Sequence, residues 1–463
     1  MPKTVLYVLL LLIMAAALSC GRFVGVPFDH RQIESLTVFG ALIFGILLFD
    51  EHRLAISLAG VAGLLAMGLV SVDQFVASAG LDVVLFLLGT FLVAGYLEQS
   101  LFFEHLVSQI VRMVGPRPAV LLGALMLAAM VASAIVGEVA AILFVGGAML
   151  HIAGRCRLNA TPFLMMLVFA TNTGSAASAF GPVGVTIALK SHLTVMDFFR
   201  RATPISIVVL GLVFAICRWW FARDWKTFAE AVDREHASLS VPDPGGAKSS
   251  GIGWTLVAGM TALLVFHAQI ESALGLPENV MLLAAALGAG AAALLLAGKR
   301  SKELIEQRVD WATLAFFLML FSAVGALEAT GVTGVIARGL IQITGGRGAM
   351  MVLAVGWATG ILSALLANML AVAAFLPIVA ELKTHAVCPS SVYWLMLFGA
   401  TFMGNMTSIG STCNIIACGM SAKRGHGTIA FVQWLKIGLI ISLASMLAAT
   451  LLLALQTHGL SAG

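Results

Sequence analysis

The stretches FLLGTFLVAGYLE (86–98) and FFLMLFSAVGALE (316–328) decide the fold class, because the second repeats the first at an offset of 230 residues. Phenylalanine, leucine, glycine and glutamate recur at the same places in both. The same offset aligns Glu138 with Asn368, two polar residues that each lie inside a long apolar run. The chain therefore carries a candidate internal repeat.

The likeness extends to both sides of these stretches. Ser133 aligns with Ser363 at the same offset, and the polar residues 171–174 (TNTG) fall near 404–407 (GNMT) after a slip of three residues. Chance rarely produces matches that keep their order over so long a span. We therefore predict two homologous halves.

Composition restricts the class of protein. Of 463 residues, 60% are hydrophobic and only 10% are charged, whereas soluble chains carry about 25% charged residues. An integral membrane protein with many spans is the class that fits. A net charge of +4 does not indicate a nucleic-acid partner, and six scattered cysteines without a CxxC pair argue against a disulfide framework or structural zinc. No Gly-rich phosphate-binding loop followed by Lys-Ser/Thr is present, so we expect any uphill transport to be driven by an ion gradient. An intramembrane enzyme would need paired acids or a His/Asp/Ser set at one depth, and the runs contain none, so we expect no enzymatic activity and no cofactor.

The apolar runs predict an all-α polytopic fold with about 11 transmembrane helices and two re-entrant hairpins. Runs 118–153 and 349–380 each exceed 30 residues, too long for a single span of about 20 residues. Each has a polar residue at its middle, Glu138 or Asn368, where a hairpin would turn. The candidate runs are 4–20, 36–50, 54–72, 83–100, 118–153, 163–190, 203–221, 253–271, 279–298, 312–330, 349–380, 391–420 and 436–457.

The charges between the runs predict the orientation. Stretches 222–252 and 299–308 are rich in Lys and Arg and lie two spans apart, which places both in the cytoplasm. The N-terminus is then cytoplasmic and the C-terminus outside. The first repeat enters the membrane at Asp82 from outside and the second at Asp310 from inside. The repeats are therefore inverted and contain broken helices, an architecture typical of secondary transporters.

These boundaries predict four segments. They are an N-terminal three-helix segment (1–81), a first inverted repeat (82–222), a cytoplasmic linker with two connecting helices (223–309) and a second inverted repeat (310–463).

Glu138 is the strongest candidate for a functional residue. It is the one carboxylate near the centre of an apolar run, and a carboxylate within a membrane is a functional hypothesis by default because its charge is costly there. Such a group can alternate between a proton and a cation. The alternative is a protonated glutamate that only hydrogen-bonds to a neighbouring helix.

Oxygen-bearing side chains cluster at four breaks in the apolar pattern, around 133–138, 363–368, 171–184 and 404–414. Amide, hydroxyl and carbonyl oxygens suit a desolvated alkali cation or a small polar solute, although the asparagines could equally cap broken helices. The predicted ion- or substrate-binding residues are Glu138, Asn172, Thr173, Asn368, Asn405, Thr407 and Asn414. The predicted helix-break residues are Gly137, Gly174, Gly181, Pro182 and Gly410.

Several stretches resemble the ion transporter superfamily over about 82–440. The likeness is carried by WATLAFFLMLFSAVGALEATGV (311–332), SALLANMLAVAAFLPIV (363–379) and GNMTSIGSTCNIIACG (404–419), the last similar to a Gly-Asn-x-Thr-x-Ile-Gly-x-x-x-Asn pattern. The arsenite-efflux, NhaD-type sodium/proton antiporter and P-protein branches are most similar, and citrate and dicarboxylate transporters are more distant. GEVAAIL (137–143) resembles a segment in which arsenite exporters carry an acid and carboxylate transporters tend to carry asparagine.

The sequence departs from this family in its first broken helix. Residues 172–185 lack the aspartate and the final asparagine of the usual Asn-x-Gly-Gly-Thr-Ala-Thr-x-x-Gly-Asp-Pro-Pro-Asn pattern. A cation site in the first half would therefore have fewer ligands, or Glu138 would substitute for them. The resemblance also implies a homodimer that moves substrate by an elevator-like shift of hairpins and broken helices.

We predict a secondary active ion transporter, a proton- or sodium-coupled antiporter or exporter of a cation or small inorganic solute. One alternative is sodium-coupled transport of a small carboxylate. A carboxylate substrate would favour a positive charge in its site, and no Lys or Arg lies in the middle of an apolar run, but helix N-termini could attract the anion instead. Another is a transport-inactive membrane scaffold. The expected partners are the transported ion or solute with its coupling ion, the lipid bilayer and a second copy of the chain, with no nucleic acid. A bacterial inner membrane, or a membrane derived from it, is the expected location.

Overall fold

In a computed structural model, residues 3–19, 22–23, 26–115, 117–234, 247–385, 388–423 and 429–457 are described. The fold is helical, with one two-stranded antiparallel pair, β1 (Arg22–Phe23) and β2 (Val26–Pro27). The helices are α1 Lys3–Ser19, α2 His30–Leu48, α3 Arg53–Ala66, α4 Val72–Ser78, α5 Leu81–Gln99, α6 Phe102–Val114, α7 Pro118–Val136, α8 Glu138–Arg155, α9 Thr161–Ser175, α10 Pro182–Ser191, α11 Val195–Asp197, α12 Thr203–Trp220, α13 Ala222–Arg234, α14 Ala247–Val265, α15 His267–Leu274, α16 Val280–Ala297, α17 Ser301–Glu303, α18 Trp311–Ala329, α19 Val332–Thr344, α20 Gly348–Leu365, α21 Asn368–Thr384, α22 Ser391–Met403, α23 Thr412–Lys423 and α24 Phe431–Gln456.

Nine helices in the described part of the chain are long and apolar enough to cross a bilayer, and α14 with α15, bent by 58°, forms a tenth candidate. Three of the nine (α7, α8 and α20) are arms of the predicted hairpins. The shorter helices α1 and α3 and the two broken helices bring the predicted spans to 11. The polytopic fold is thus confirmed. The count of long helices differs from the 11 predicted spans because some of the predicted spans are short or interrupted.

Both hairpins turn where the polar residues predicted. Helix α7 ends at Val136, and Gly137 adopts a φ of 91° before α8 begins at Glu138. A side chain rarely adopts this left-handed conformation, which explains the glycine. In the second half, α20 ends at Leu365 and α21 begins at Asn368, and in each half the two arms pack against each other.

Both broken helices are also present. Helix α9 is followed by α10 after a break over 176–181, and α22 by α23 after a break over 404–411. Pro182 opens α10, a position where its missing N–H leaves no bond unmade. Gly410 lies in the second break, where a Cβ atom would come within 2.6 Å of the Gly404 carbonyl oxygen. The prediction for Gly174 is corrected, because this glycine lies in the last turn of α9 rather than in the break. A Cβ atom there would lie 2.2 Å from the Met130 carbonyl oxygen of α7.

Equivalent hydrogen bonds in the two halves confirm the repeat. Ser133 Oγ donates to the Thr171 carbonyl oxygen at 2.7 Å, and Ser363 Oγ donates to the Ala400 carbonyl oxygen at 2.5 Å. Each of these bonds joins a hairpin to the broken helix of its own half.

A second pair of bonds corrects the predicted alignment of the broken helices. Ser178 Oγ donates to the Ala134 carbonyl oxygen, and Thr407 Oγ1 donates to the Ala364 carbonyl oxygen at 2.6 Å. Ser178 therefore corresponds to Thr407, an offset of 229, and the slip of three residues was wrong. The shared asparagine and threonine letters misled the alignment because the two breaks differ in length.

The halves exchange helices across their boundary. Helix α10 packs against α21 and α22 of the second half, while α23 packs against α8 and α9 of the first. Outside the two repeats, α3 of the N-terminal segment packs on α18, and the connecting helix α16 packs on α5. The α5–α16 contact is close, since a Cβ on Gly89 would lie 2.3 Å from the Ala286 carbonyl oxygen, as is common where small residues let membrane helices approach. The hairpin turns and helix breaks meet at the centre of this arrangement.

Candidate functional site

The carboxyl group of Glu138 lies where the two hairpins meet the second broken helix. Its Oε1 accepts a hydrogen bond from Ser411 Oγ at 2.9 Å, and its Oε2 lies 3.3 Å from the side-chain amide of Asn368. The Ser175 side chain at the end of α9 also lies near this carboxyl group. One side chain therefore contacts the residues beside all four interruptions of the helical pattern.

Three asparagines form a buried cluster next to this carboxyl group. Asn172 Nδ2 donates to Asn405 Oδ1 at 2.7 Å and to Asn414 Oδ1 at 3.0 Å. Asn414 Nδ2 in turn donates to the carbonyl oxygens of Gly404 at 2.8 Å and Thr407 at 2.7 Å. The cluster joins the last turn of α9 to the break between α22 and α23.

One donor in this cluster is left over. Asn405 is fully buried, and within the described part of the chain its Nδ2 has no hydrogen-bond partner. A buried amide N–H without an acceptor costs free energy. The position therefore suits an acceptor oxygen that is supplied from outside the protein.

Cys413 connects the two groups. Its Sγ donates to Asn172 Oδ1 at 3.3 Å and lies 3.3 Å from Ser411 Oγ. A lone buried cysteine usually serves only in packing, so the sequence did not indicate a role for Cys413.

The sequence pattern also did not single out Ser411 or Ser175. The signal for Ser411 is its place directly after the break residue Gly410, in a stretch already predicted as a candidate site.

Two predicted site residues use their hydroxyl groups elsewhere. Thr173 Oγ1 donates to the Phe169 carbonyl oxygen of its own helix at 2.7 Å. Thr407 Oγ1 holds the second hairpin through Ala364. The other five predicted residues, Glu138, Asn172, Asn368, Asn405 and Asn414, form a single neighbourhood with Ser411 and Cys413.

The site offers oxygen atoms rather than a transition-metal ligand set. Among the described residues, no group of three or more His, Cys, Asp or Glu side chains could hold a metal ion. One carboxyl group, several amides and hydroxyls, and the backbone carbonyl oxygens of the helix breaks remain. This chemistry suits an alkali cation, a proton or a small polar solute.

The acidic residues Glu98, Glu104 and Glu328 lie away from this site. Glu98 at the end of α5 forms an ion pair with Arg308, and Glu328 at the equivalent end of α18 is exposed. Glu104 on the amphipathic helix α6 is partly buried, which raises its pKa above the usual range for a glutamate. Glu98 is thus explained by a structural ion pair at a helix end.

A helical membrane fold with two hairpins, two broken helices and a polar centre defines a membrane transporter. The chain belongs to the CitMHS family, described as citrate transporter, whose profile matches residues 41–340 and 330–459. This confirms the expected relationship to the ion transporter superfamily.

Known proteins agree with this assignment. An uncharacterized transporter of Mycobacterium tuberculosis is 30% identical over 440 residues, covering 92% of this chain and 99% of the relative. The P protein of Homo sapiens is 23% identical over 88% of this chain and 58% of its own length. In fold, the chain is similar to the crystal structure of the Alcanivorax borkumensis YdaH transporter, with a TM-score of 0.58 and 18% identity over 98% of both chains.

Proposed function

We propose that this chain is a secondary active transporter in a bacterial inner membrane, or a membrane derived from it, coupled to protons or sodium through Glu138. The observation that carries the proposal is the contact of this single carboxyl group with Ser411 of the second broken helix and Asn368 of the second hairpin, two different elements of the other half. A change of its charge alters both contacts at once. Differential interactions of this kind are what shift a conformational equilibrium.

An antiporter follows from competition for the same oxygen atoms. A proton on Glu138 and a cation beside it both neutralise the carboxyl charge, so the two exclude each other. The amide oxygens of the asparagine cluster lie next to the carboxyl group and supply further cation ligands. Binding of the cation then displaces the proton, which is the coupling that exchange requires.

A small carboxylate is the second candidate substrate. It is favoured by the family, which is described as citrate transporter, and by the unpartnered Asn405 Nδ2 donor. The N-termini of α8 and α21 also meet at Glu138 and Asn368, and helix N-termini attract anions. The negative charge of Glu138 opposes an anion, so a carboxylate would bind while Glu138 is neutral.

Three wider features belong to the same proposal. The chain works as a homodimer, its hairpins and broken helices shift together across the membrane, and its N-terminus is cytoplasmic and its C-terminus outside. The bonds from Ser133 and Ser363 to their own broken helices support a joint movement. The segments 1–81, 82–222, 223–309 and 310–463 remain the proposed organisation.

Flux in proteoliposomes tests the proposal. A pH-sensitive dye inside the vesicles reports proton movement while sodium, potassium, divalent cations, arsenite and citrate are added in turn. We expect one of these solutes to drive proton flux in the wild type, and Glu138→Gln to reduce that flux by at least about 100-fold, since the group carries the proton itself. Glu328→Gln, which removes an exposed carboxylate outside the site, is the matched control and should leave the flux unchanged.

Two results would contradict the proposal in different ways. Flux that survives in Glu138→Gln would remove Glu138 from the coupling path but keep the transporter. Absence of flux with every solute, from protein that elutes as a folded species, would favour the scaffold alternative.

A further inference from the structure

The orientation of the Asn368 side-chain amide is set by its neighbours. An asparagine amide can be placed in two ways, because its oxygen and nitrogen atoms have nearly the same shape. In one orientation Nδ2 donates to Glu138 Oε2, and Oδ1 then faces the carbonyl oxygens of Ala400 and Gly410. Acceptors face acceptors in that arrangement.

The reverse orientation satisfies these neighbours. Nδ2 then donates to the Ala400 carbonyl oxygen at 3.0 Å, the Gly410 carbonyl oxygen at 2.9 Å and Ser363 Oγ at 3.0 Å. Buried carbonyl oxygens normally have hydrogen-bond donors. The number of bonds made therefore favours this second orientation.

The internal repeat supports the same choice. Ser133 gives its single hydroxyl proton to the Thr171 carbonyl oxygen, and Ser363 makes the equivalent bond to the Ala400 carbonyl oxygen. With its proton used there, Ser363 Oγ can only accept a bond from Asn368. In the first orientation the one donor within reach of Asn368 Oδ1 among the described residues is Ser363 Oγ at 3.0 Å, and the shorter bond to the Ala400 carbonyl oxygen already uses its proton.

The second orientation has a consequence for Glu138. The atom of Asn368 that lies 3.3 Å from Glu138 Oε2 is now Oδ1, so two oxygen atoms face each other. Only a proton on the carboxyl group turns this contact into a bond. The bond is weak, since 3.3 Å exceeds the usual O–H···O distance of about 2.7 Å, but without the proton the contact is a repulsion.

Charged groups on the surrounding helices do not relieve this repulsion. No Lys, Arg or His forms an ion pair with Glu138 among the described residues. Helices α7 and α9 contain no titratable side chain, and the nearest one on α23 is the Cys413 thiol. Glu381 and Lys383 lie at the far end of α21.

We propose that Glu138 carries a proton on Oε2 in this conformation and donates it to Oδ1 of Asn368, so that loss of this proton releases the two hairpin tips from each other. The inference rests on the proposed function, because it names the proton as the coupling ion and this contact as the place where it acts. On release the proton passes to water and the carboxylate remains. The N-terminus of α8 favours that negative charge once the tips have separated.

Infrared titration of the purified protein tests the proposal. The carboxylic-acid C=O stretching band that is present in the wild type and absent in Glu138→Gln reports the proton on Glu138. We expect Asn368→Leu, which removes the acceptor, to move the half-protonation pH of this band downward by about one pH unit. If Asn368 instead donates to the carboxylate, the same substitution moves it upward, which would overturn the proposal, as would no shift.

Two further variants make the result independent of one substitution. Asn368→Ser, whose side chain is too short to reach Glu138, should shift the band in the same direction as Asn368→Leu if the latter folds poorly. Ser411→Ala removes a donor to Oε1 and should shift it in the opposite direction. A wild type without any Glu138 acid band would also contradict the proposal.

Flux measured on the same preparations separates the proton bond from the coupling role. Loss of flux in Glu138→Gln with an upward shift in Asn368→Leu would refute only the proton bond. A downward shift with intact flux in Glu138→Gln would refute only the coupling role.

Discussion

Two adjacent residues in the centre of this protein, Asn172 and Thr173, form hydrogen bonds to different parts of the structure. Asn172 and Thr173 are adjacent, both are fully buried, and both were predicted to bind an ion or substrate. Asn172 bonds to two asparagines of the other half, whereas Thr173 bonds to a carbonyl of its own helix. Burial therefore does not distinguish these two residues, but the partners of their hydrogen bonds do.

This contrast predicts different effects of two substitutions. Asn172→Ala leaves Asn405 Oδ1 without its donor and removes one of the two donors to Asn414 Oδ1, the other being Cys413 Sγ. An unsatisfied buried group costs about 1–3 kcal/mol, and flux should fall by at least about tenfold. Thr173→Val keeps the shape and loses a bond to a carbonyl that the helix already uses, so flux should stay within about twofold. Proteoliposome flux and melting temperature in detergent measure both. Equal losses in the two variants would contradict the site assignment.

Among the helices, close approach depends on glycine at a few places. Gly174 on α9 faces the backbone of Met130 on α7, a part of the first hairpin. No flexible side chain can yield at that contact, because the nearest atoms belong to the peptide backbone. The glycine is needed for the α7–α9 contact, and this explains its position better than a helix break does.

Gly174→Ala should therefore destabilise the protein by about 1–3 kcal/mol or more, the usual cost of overpacking. Gly211→Ala on α12 is the matched control, since nothing lies within 4 Å of a Cβ there. The control should be neutral or slightly stabilising, because alanine favours a helix over glycine. Melting temperatures of the detergent-solubilised proteins measure the difference, and a stable Gly174→Ala would show that α7 and α9 are not in contact as described.

At the scale of the whole molecule, the proposed topology of 11 spans with two hairpins has a testable consequence, because an odd number of spans would put the two chain termini on opposite sides of the membrane. Alkaline phosphatase fused to the C-terminus should be active, because it folds outside, and green fluorescent protein at the same place should be dark. Fusions truncated after Arg234, in the stretch predicted to be cytoplasmic, should behave in the opposite way. A fluorescent C-terminal fusion would reverse the proposed topology.

Much of this architecture was predictable from the sequence. Glu138 and Asn368 marked the hairpin turns because a polar residue at the centre of an overlong apolar run is costly in lipid unless the chain turns or binds something there. The breaks after α9 and α22 were predictable from Gly, Asn, Ser and Thr in the same way.

The contacts between the halves were not predictable. Ser411 and Ser175 are ordinary small polar residues, and only the packing of α23 and α9 around α8 brings them to Glu138. The alignment of the broken helices failed for a related reason. Asn172 and Asn405 are the same residue type and bond to one another, but they do not occupy equivalent places in the repeat.

The exchange of helices between the halves also bears on how the protein is made. During synthesis α8 and α9 enter the membrane long before α23, the helix that packs against them, has been translated. Until then the carboxyl group of Glu138 lacks its partners Ser411 and Asn368. The first half therefore remains in the bilayer with the hydrogen bonds of Glu138 unmade, and it reaches its final structure only when the second half inserts.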